Sequence, residues 1–408
     1  MPTRAKRSAL KRMRDFTSDR IKSIKPSGIR KFFDIANKIE DCISLGVGEP
    51  DFDTPWHITE EGIYSLEQGR TFYTSNQGLP ELREEISKWN KRKYNLDYPA
   101  EDIIVTCGGS EAIDIALRAC INPGDEVIIL EPNYVCYEPD ILLAGGVAVK
   151  IRLKNENEFR LTKKELEEAI TDKTKILLIN YPNNPTGAIM TREDLEEIAE
   201  VIKKHDLLVI SDEIYSELTY SSKHCSIGSL EGMRERTITI NGFSKAFSMT
   251  GWRLGYVMGP KPIIDQVKKI HQFVIMSAPT ISQYAGLEAL RNGDGDIEMM
   301  KKEYDKRRKF LLKEFKRLDL PCFEPRGAFY IFPYIGKYGM TSEEFATNLL
   351  EKEHVVVVPG TAFGDSGEGF VRISYAYSLD ALKEAIKRIE RYLGGLSLKP
   401  KNYCTFDE

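Results

Sequence analysis

Short apolar runs separated by amphipathic stretches fill the middle of the chain. Ile103-Ile104-Val105-Thr106 predicts a strand, Ser110 to Ala119 a helix, and Glu126 to Leu130 the next strand. Lys175 to Asn180 predicts another strand, followed by a helix over Arg192 to Lys204; Leu207 to Ser211 and Arg236 to Ile240 predict two more strands. Strands this short and continuously apolar, alternating with helices, predict an α/β sheet, largely parallel and covered on both faces. Ligands of such sheets sit outside the carboxyl ends of the strands. After about residue 295 the pattern changes. A long charged helix over Met299 to Arg317 precedes short strands around Gly327 to Phe332 and Val355 to Pro359, a strand over Phe370 to Tyr375 and a helix over Asp380 to Leu393. This predicts a smaller α+β domain completed by the N-terminal segment. Residues 51–295 would form the large domain, and 1–50 with 296–408 the discontinuous small one.

A chain of 408 residues exceeds one small core and fits two domains. Apolar content of 41% and charged content of 29% suit a soluble globular protein. The formal net charge of -4 argues against general nucleic-acid binding. The runs Val127 to Leu130, Ile176 to Ile179 and Leu207 to Ile210 are too short to cross a membrane. Seven cysteines, an odd number without a C-x-x-C pair, argue against a disulfide framework or zinc site and point to the cytoplasm. The five histidines lack metal-ligand spacing, so no metal is expected. Arg4, Lys6, Arg7, Lys11, Arg12 and Arg14 make residues 1–20 a basic extension with no apolar segment after it, which excludes a secretory signal. The extension reads as a solvated helix, with an organelle transit peptide as the alternative.

Candidate chemistry clusters just after the strands. Thr239 to Gly242 leads into Phe243, Ser244 and Lys245, and Arg253 follows eight positions on. A lysine there can form a Schiff base, and Arg253 with Ser244 can hold a phosphate, the two needs of pyridoxal 5′-phosphate (PLP). Gly108-Gly109-Ser110-Glu111-Ala112 opens a helix, where glycines allow close approach and free N–H groups bind anions. It also reads as a plain turn with Ser110 as N-cap. Tyr134 and Tyr137 could stack on a pyridine ring or simply fill the core. Asn183-Asn184-Pro185-Thr186-Gly187 is a rigid turn whose Asn amide could donate to a phenolate oxygen. Asp212, in Ser211-Asp212-Glu213-Ile214-Tyr215, ends a buried strand; facing a pyridine nitrogen, its charge would favour the protonated ring by about 1–3 pKa units. An N-cap aspartate is the alternative. Arg372, alone among Phe370, Val371, Ile373 and Ser374, calls for a planar anion such as an amino-acid carboxylate, or for an internal acid.

With these residues in hand, the chain resembles the class I aminotransferases of PLP fold type I from about Ile29 to Leu393, and is similar to the prokaryotic-type aspartate and aromatic branch. The resemblance is carried by Leu45-Gly46-Val47-Gly48-Glu49-Pro50-Asp51-Phe52 and by Tyr73-Thr74 with Gly78 and Leu82-Arg83. The Asn-Pro-Thr-Gly turn, Ser-Asp-Glu-Ile-Tyr, and Ser-Lys with Gly-Trp-Arg-Leu-Gly complete it. It implies a large domain with a mostly parallel seven-stranded sheet between helices plus a smaller α+β domain. It further implies Lys245 as Schiff-base lysine and proton shuttle, Asp212 as partner of the pyridine nitrogen, and Asn184 and Tyr215 as donors to the phenolic oxygen. Tyr134 would stack on the ring, and Gly109, Ser110, Ser244 and Arg253 would hold the phosphate. Gly46, Asn184 and Arg372 would bind substrate, Arg372 through the α-carboxylate. Tyr73 would reach the phosphate of a neighbouring subunit, implying a homodimer with shared sites. The implied activity is ping-pong transfer of an amino group from an L-amino acid, aspartate or aromatic, to 2-oxoglutarate. A PLP-dependent lyase (C–S β-lyase or aminocyclopropane-carboxylate synthase type) would use the same cofactor residues. A PLP-binding regulator would need a separate DNA-binding domain, for which the roughly forty residues before Ser44 are too few.

Overall fold

The computed structural model describes residues 15–24, 39 and 41–396. The basic residues Arg4 to Arg14 and the start of the resemblance at Ile29 lie outside them. The described strands are β1 (Ile43–Ser44), β2 (Ile103–Thr106), β3 (Glu126–Glu131), β4 (Val147–Arg152), β5 (Thr174–Asn180), β6 (Leu208–Asp212), β7 (Thr237–Gly242), β8 (Gly255–Met258), β9 (Tyr330–Ile331), β10 (Val355–Val356), β11 (Val358–Pro359) and β12 (Val371–Ser374). Seven of them form one sheet in the order β2-β8-β7-β6-β5-β3-β4. The pairs from β7 to β4 are parallel, while β8 runs antiparallel to both β2 and β7. β2, β7 and β8 are buried at every position, as expected of strands covered on both faces.

Local signals explain where the covering helices start. The helix Arg192–Lys204 matches the sequence expectation residue for residue. Its Thr191 side chain accepts from Asp194 N–H while the Asp194 side chain accepts from Thr191 N–H, a reciprocal cap. The same device opens Lys163–Ala169 and Ser342–Glu353. Two expectations shift. The helix after β2 is Gly108–Cys120, so Ser110 lies inside its first turn and is not the N-cap. The long charged helix begins at Asp294, five residues before Met299. Gly295 sits in its first turn, facing open space.

The C-terminal part builds a second, smaller layer. β9 and β11 flank β12 in an antiparallel sheet, and β10 pairs in parallel with β1, Ile43 opposite Val355. The apolar run Val355 to Pro359 was expected as one strand. It splits into β10 and β11 in two different sheets, a division that an unbroken row of buried valines does not signal. One apolar cluster joins Leu45 to Tyr304, Phe329, Leu349, Ile373 and Leu382, so the segment leading to Gly46 is anchored on this layer.

Candidate active site

A cleft of about 340 Å³ opens where the carboxyl ends of the parallel strands meet the smaller layer. Of the sequence-predicted residues, Gly46, Gly109, Ser110, Tyr134, Asn184, Asp212, Tyr215, Ser244, Lys245, Arg253 and Arg372 all line it. Tyr73 does not. It is 82% exposed on the loop after the helix Trp56–Glu67, beside exposed Phe72.

Strand pairing brings the distant groups together. β7 ends at Gly242 and β8 begins at Gly255, and the two glycines are paired. Ser244 and Lys245 therefore leave the sheet where Arg253 enters it, which turns an eight-residue spacing into neighbourhood. A Cβ on Gly255 would stand 2.6 Å from the backbone of Gly108, so only glycine lets the start of the helix Gly108–Cys120 approach this edge. Arg253 itself sits in the left-handed region at φ 53°, with Nη1 donating to Thr250 O at 3.2 Å. That backbone is uncommon for a side-chain-bearing residue and aims the guanidinium toward the helix start.

Asp212 ends β6 and starts no helix, so the N-cap alternative falls. Its Oδ2 accepts from Tyr137 Oη at 2.7 Å and its Oδ1 from Ile214 N–H at 3.2 Å. Burial pushes the carboxyl up to about 6, while these two donors favour the ion. Tyr134 and Tyr137 both line the cleft, edge-on to each other at 5.8 Å, and Tyr137 directs its hydroxyl to the acid.

Lys245 Nζ donates to Gly48 O at 2.6 Å, and burial pushes its amine down to about 8. Nearby Glu49 opposes that shift, and the positive fields of Arg372 and Arg253 reinforce it. Near neutral pH such an amine offers a useful free-base fraction.

Arg372, 3% exposed, bonds only neutral acceptors: Nη1 donates to Asn184 Oδ1 at 2.8 Å and Nη2 to Gly46 O at 2.5 Å. Its Nε is buried without a partner, and the guanidinium lies between the rings of Tyr330 and Phe363 at 4.5 and 4.7 Å. Among the described residues no acid pairs with it, which removes the internal ion pair as an explanation. Because Arg372 occupies the Asn184 oxygen, the Asn184 amide nitrogen is left as the free donor. Tyr215 Oη is 2.7 Å from Tyr330 Oη, and burial pushes the Tyr215 phenol well above its ordinary range.

The sequence reading missed Tyr330 and the hydrogen bond of Tyr137. Tyr330 lies in the predicted Gly327 to Phe332 strand region, but it is one of nineteen tyrosines and no motif marked it. The cleft as built suits one particular kind of ligand. Helix N–H groups beside an arginine, a buried acid, a tyrosine hydroxyl near an amide N–H, a depressed amine and a buried arginine without an acid would suit PLP bearing an amino acid. Among the described residues no cluster of His, Cys, Asp or Glu could hold a metal ion. No described helix is long and apolar enough to cross a membrane.

Asp212 also makes a stability prediction. Folding raises its carboxyl from 3.8 to about 6, so at pH 8 the ligand-free fold holds an ion it disfavours, at about 3 kcal/mol. That cost fades as pH falls through about 6 and is absent below 3.8. Asp212→Asn keeps an acceptor for Tyr137 and removes the ion. Ligand-free Asp212→Asn is therefore expected to melt above wild type at pH 8, with the advantage shrinking in melts at pH 5. An advantage equal at both pH values would overturn the assignment of the raised carboxyl.

Comparison with known proteins places this geometry. The family model described as aminotransferase class I and II matches residues 40–389. The chain is 49% identical to the aspartate aminotransferase of Pyrococcus abyssi, over 92% of this chain and 98% of that one. It is 46% identical to aromatic-amino-acid aminotransferase 2 of Thermococcus litoralis, over the same shares. The solved structure of the aspartate aminotransferase from Thermus thermophilus with maleate superposes with a TM-score of 0.89 at 40% identity, covering 93% of this chain and all of that one.

Proposed function

Because this chain belongs to the class I and II aminotransferases, and is therefore an enzyme of amino-group transfer, we propose that it moves an amino group from an L-amino acid, aspartate or an aromatic one, to 2-oxoglutarate, with PLP as resident cofactor. The observation that carries the reading is Arg372: a buried guanidinium with no acid partner and one orphaned nitrogen, close enough to share Asn184 with the cofactor side of the cleft.

The residues divide the work as follows. Arg372 takes the substrate α-carboxylate as a fork, and the Gly46 carbonyl beside it limits how that carboxylate can sit. Lys245, its amine lowered to about 8, would carry the covalent link to the cofactor and act as the base that takes the proton from the substrate Cα. Asp212, steadied by Tyr137, would face the ring nitrogen and hold a proton there. Asn184 and Tyr215 donate to the phenolic oxygen, with Tyr330 fixing the Tyr215 hydroxyl. Gly109, Ser110, Ser244 and Arg253 hold the phosphate. When bound, the cofactor supplies the sink for the electron pair left at Cα.

The shared homodimer site rests on Tyr73 and its surroundings. Phe72, Tyr73, Phe273 and Val274 are all exposed, and Asn76 Nδ2 donating to Met276 O at 2.9 Å ties the two segments into one apolar face. Two copies meeting there would bury a patch that a monomer would leave in water. The division at residues 51 and 295 belongs to the same reading, supported by the pairing of β1 with β10. A cytoplasmic setting accords with six free cysteines among the described residues.

The test adds single amino acids to PLP-loaded protein without any keto acid and follows the visible absorbance. Bleaching by aspartate or phenylalanine, with 2-oxoglutarate restoring the band, is expected; sedimentation of the same sample should show two subunits. Persistence of the band while pyruvate and ammonia accumulate would put a lyase in its place.

A further inference from the structure

The helix that begins the anion cradle carries a glutamate in its first turn. Glu111 follows the Gly109–Ser110 backbone that lines the cleft. A carboxylate there works against an anion at the same helix end unless its charge is directed elsewhere. Both oxygens are so directed. Oε2 accepts from the Cys107 N–H at 2.5 Å, and Oε1 lies 2.6 Å from His271 Nδ1. His271 is fully buried in the helix Lys261–Val274. An ionised carboxylate only accepts, so Nδ1 carries the proton. The other ring nitrogen is buried with no partner, which leaves the bond to Glu111 as the one that orients the imidazole.

Cys107 is the joint between β2 and the helix. Tying down its N–H fixes the turn at Gly108, where φ is 78° and Thr106 Oγ1 donates to the carbonyl at 2.9 Å. Arg253 closes the joint from the other side, since a Cβ on Gly108 would lie 2.7 Å from its Nη2. The direction of the Gly109 and Ser110 N–H groups follows from that turn.

We propose that Glu111 and His271 are positioning residues of the phosphate cradle: His271 holds the Glu111 carboxylate off the bound anion and onto Cys107, and so sets the helix start that grips the phosphate. The inference rests on the PLP reading of the cleft, and it concerns the phosphate end alone. A phosphate-free ring compound reaching Lys245 should not sense it.

The experiment titrates full-length, cofactor-stripped protein with PLP, with pyridoxal and with inorganic phosphate, using Lys245 adduct absorbance for the first two and calorimetry for the third. Glu111→Ala and His271→Phe are expected to weaken PLP and inorganic phosphate about tenfold, the scale of one charge-assisted hydrogen bond, and to leave pyridoxal unchanged. Glu111→Gln keeps an acceptor for Cys107 and turns a donor toward the ring, which the neutral imidazole can meet by moving its proton from Nδ1 to Nε2, so this variant should stay near wild type. His271→Phe preserves ring volume, so it serves if the alanine variant fails to fold. Unchanged phosphate affinity in the folded variants, or an equal loss for pyridoxal, would overturn the proposal. Failure of the cofactor reading looks different: wild type would then bind phosphate but form no lysine adduct with PLP.

Discussion

Lys245→Ala is expected to lower steady-state transamination by about four orders of magnitude or more, because one side chain supplies both the covalent attachment and the proton transfer. The geometry makes replacement hard. Water could enter the space left by the side chain, but a water molecule there is far less basic than an amine that burial, with the fields of Arg372 and Arg253, holds at about 8. The amine's present partner, the Gly48 carbonyl, belongs to the segment anchored by β1 on the smaller layer, so Lys245 also contacts the chain that carries Gly46. The measurement is keto-acid formation with aspartate and 2-oxoglutarate, alongside PLP absorbance. More than a hundredth of wild-type turnover in a clean preparation would remove Lys245 from its role.

Arg372 carries the second large effect. Arg372→Leu deletes a buried cation whose intended partner is the substrate carboxylate, a loss on the scale of about 3–5 kcal/mol, or 10²–10⁴-fold in kcat/KM for the amino acid. Arg372→Lys should recover little. The guanidinium is planar, sandwiched between Tyr330 and Phe363, and makes two divergent bonds to Asn184 and Gly46. An ammonium can neither stack in that slot nor present a fork. The lysine variant also releases the Asn184 oxygen, so the amide is free to turn and its donor to the phenolic oxygen loses its fixed direction. Steady-state kinetics with the amino acid varied at saturating 2-oxoglutarate reads the effect, and a loss below tenfold in both variants would assign the substrate carboxylate to another group.

Much of the site was legible because its residues punctuate strand ends. An apolar run that stops at Gly242, Asp212, Asn180 or Thr106 marks where a parallel sheet exposes its carboxyl edge, and the next few residues in each case line the cleft. The helix Arg192–Lys204 was equally readable, since Thr191 and Asp194 write its start into local chemistry. Residues whose importance lies in one cross-chain bond were not readable. Tyr330 looks like a core tyrosine and Tyr137 like a stacking or core ring until folding sets them against Tyr215 and Asp212. His271 and Glu111 stand 160 positions apart, and nothing near either announces the other.

By itself, then, the sequence determined the strand-and-helix alternation and the order of phosphate turn, acid, lysine and arginines, because periodicity and turn chemistry are local properties. Tertiary structure alone decided that β8 runs antiparallel and closes Ser244, Lys245 and Arg253 around one edge. It alone split Val355 to Pro359 between two sheets and left Arg372 without an acid. Those outcomes depend on which buried groups find partners across the fold, and hydrogen bonding, desolvation and close packing settle that only when segments far apart in the chain meet.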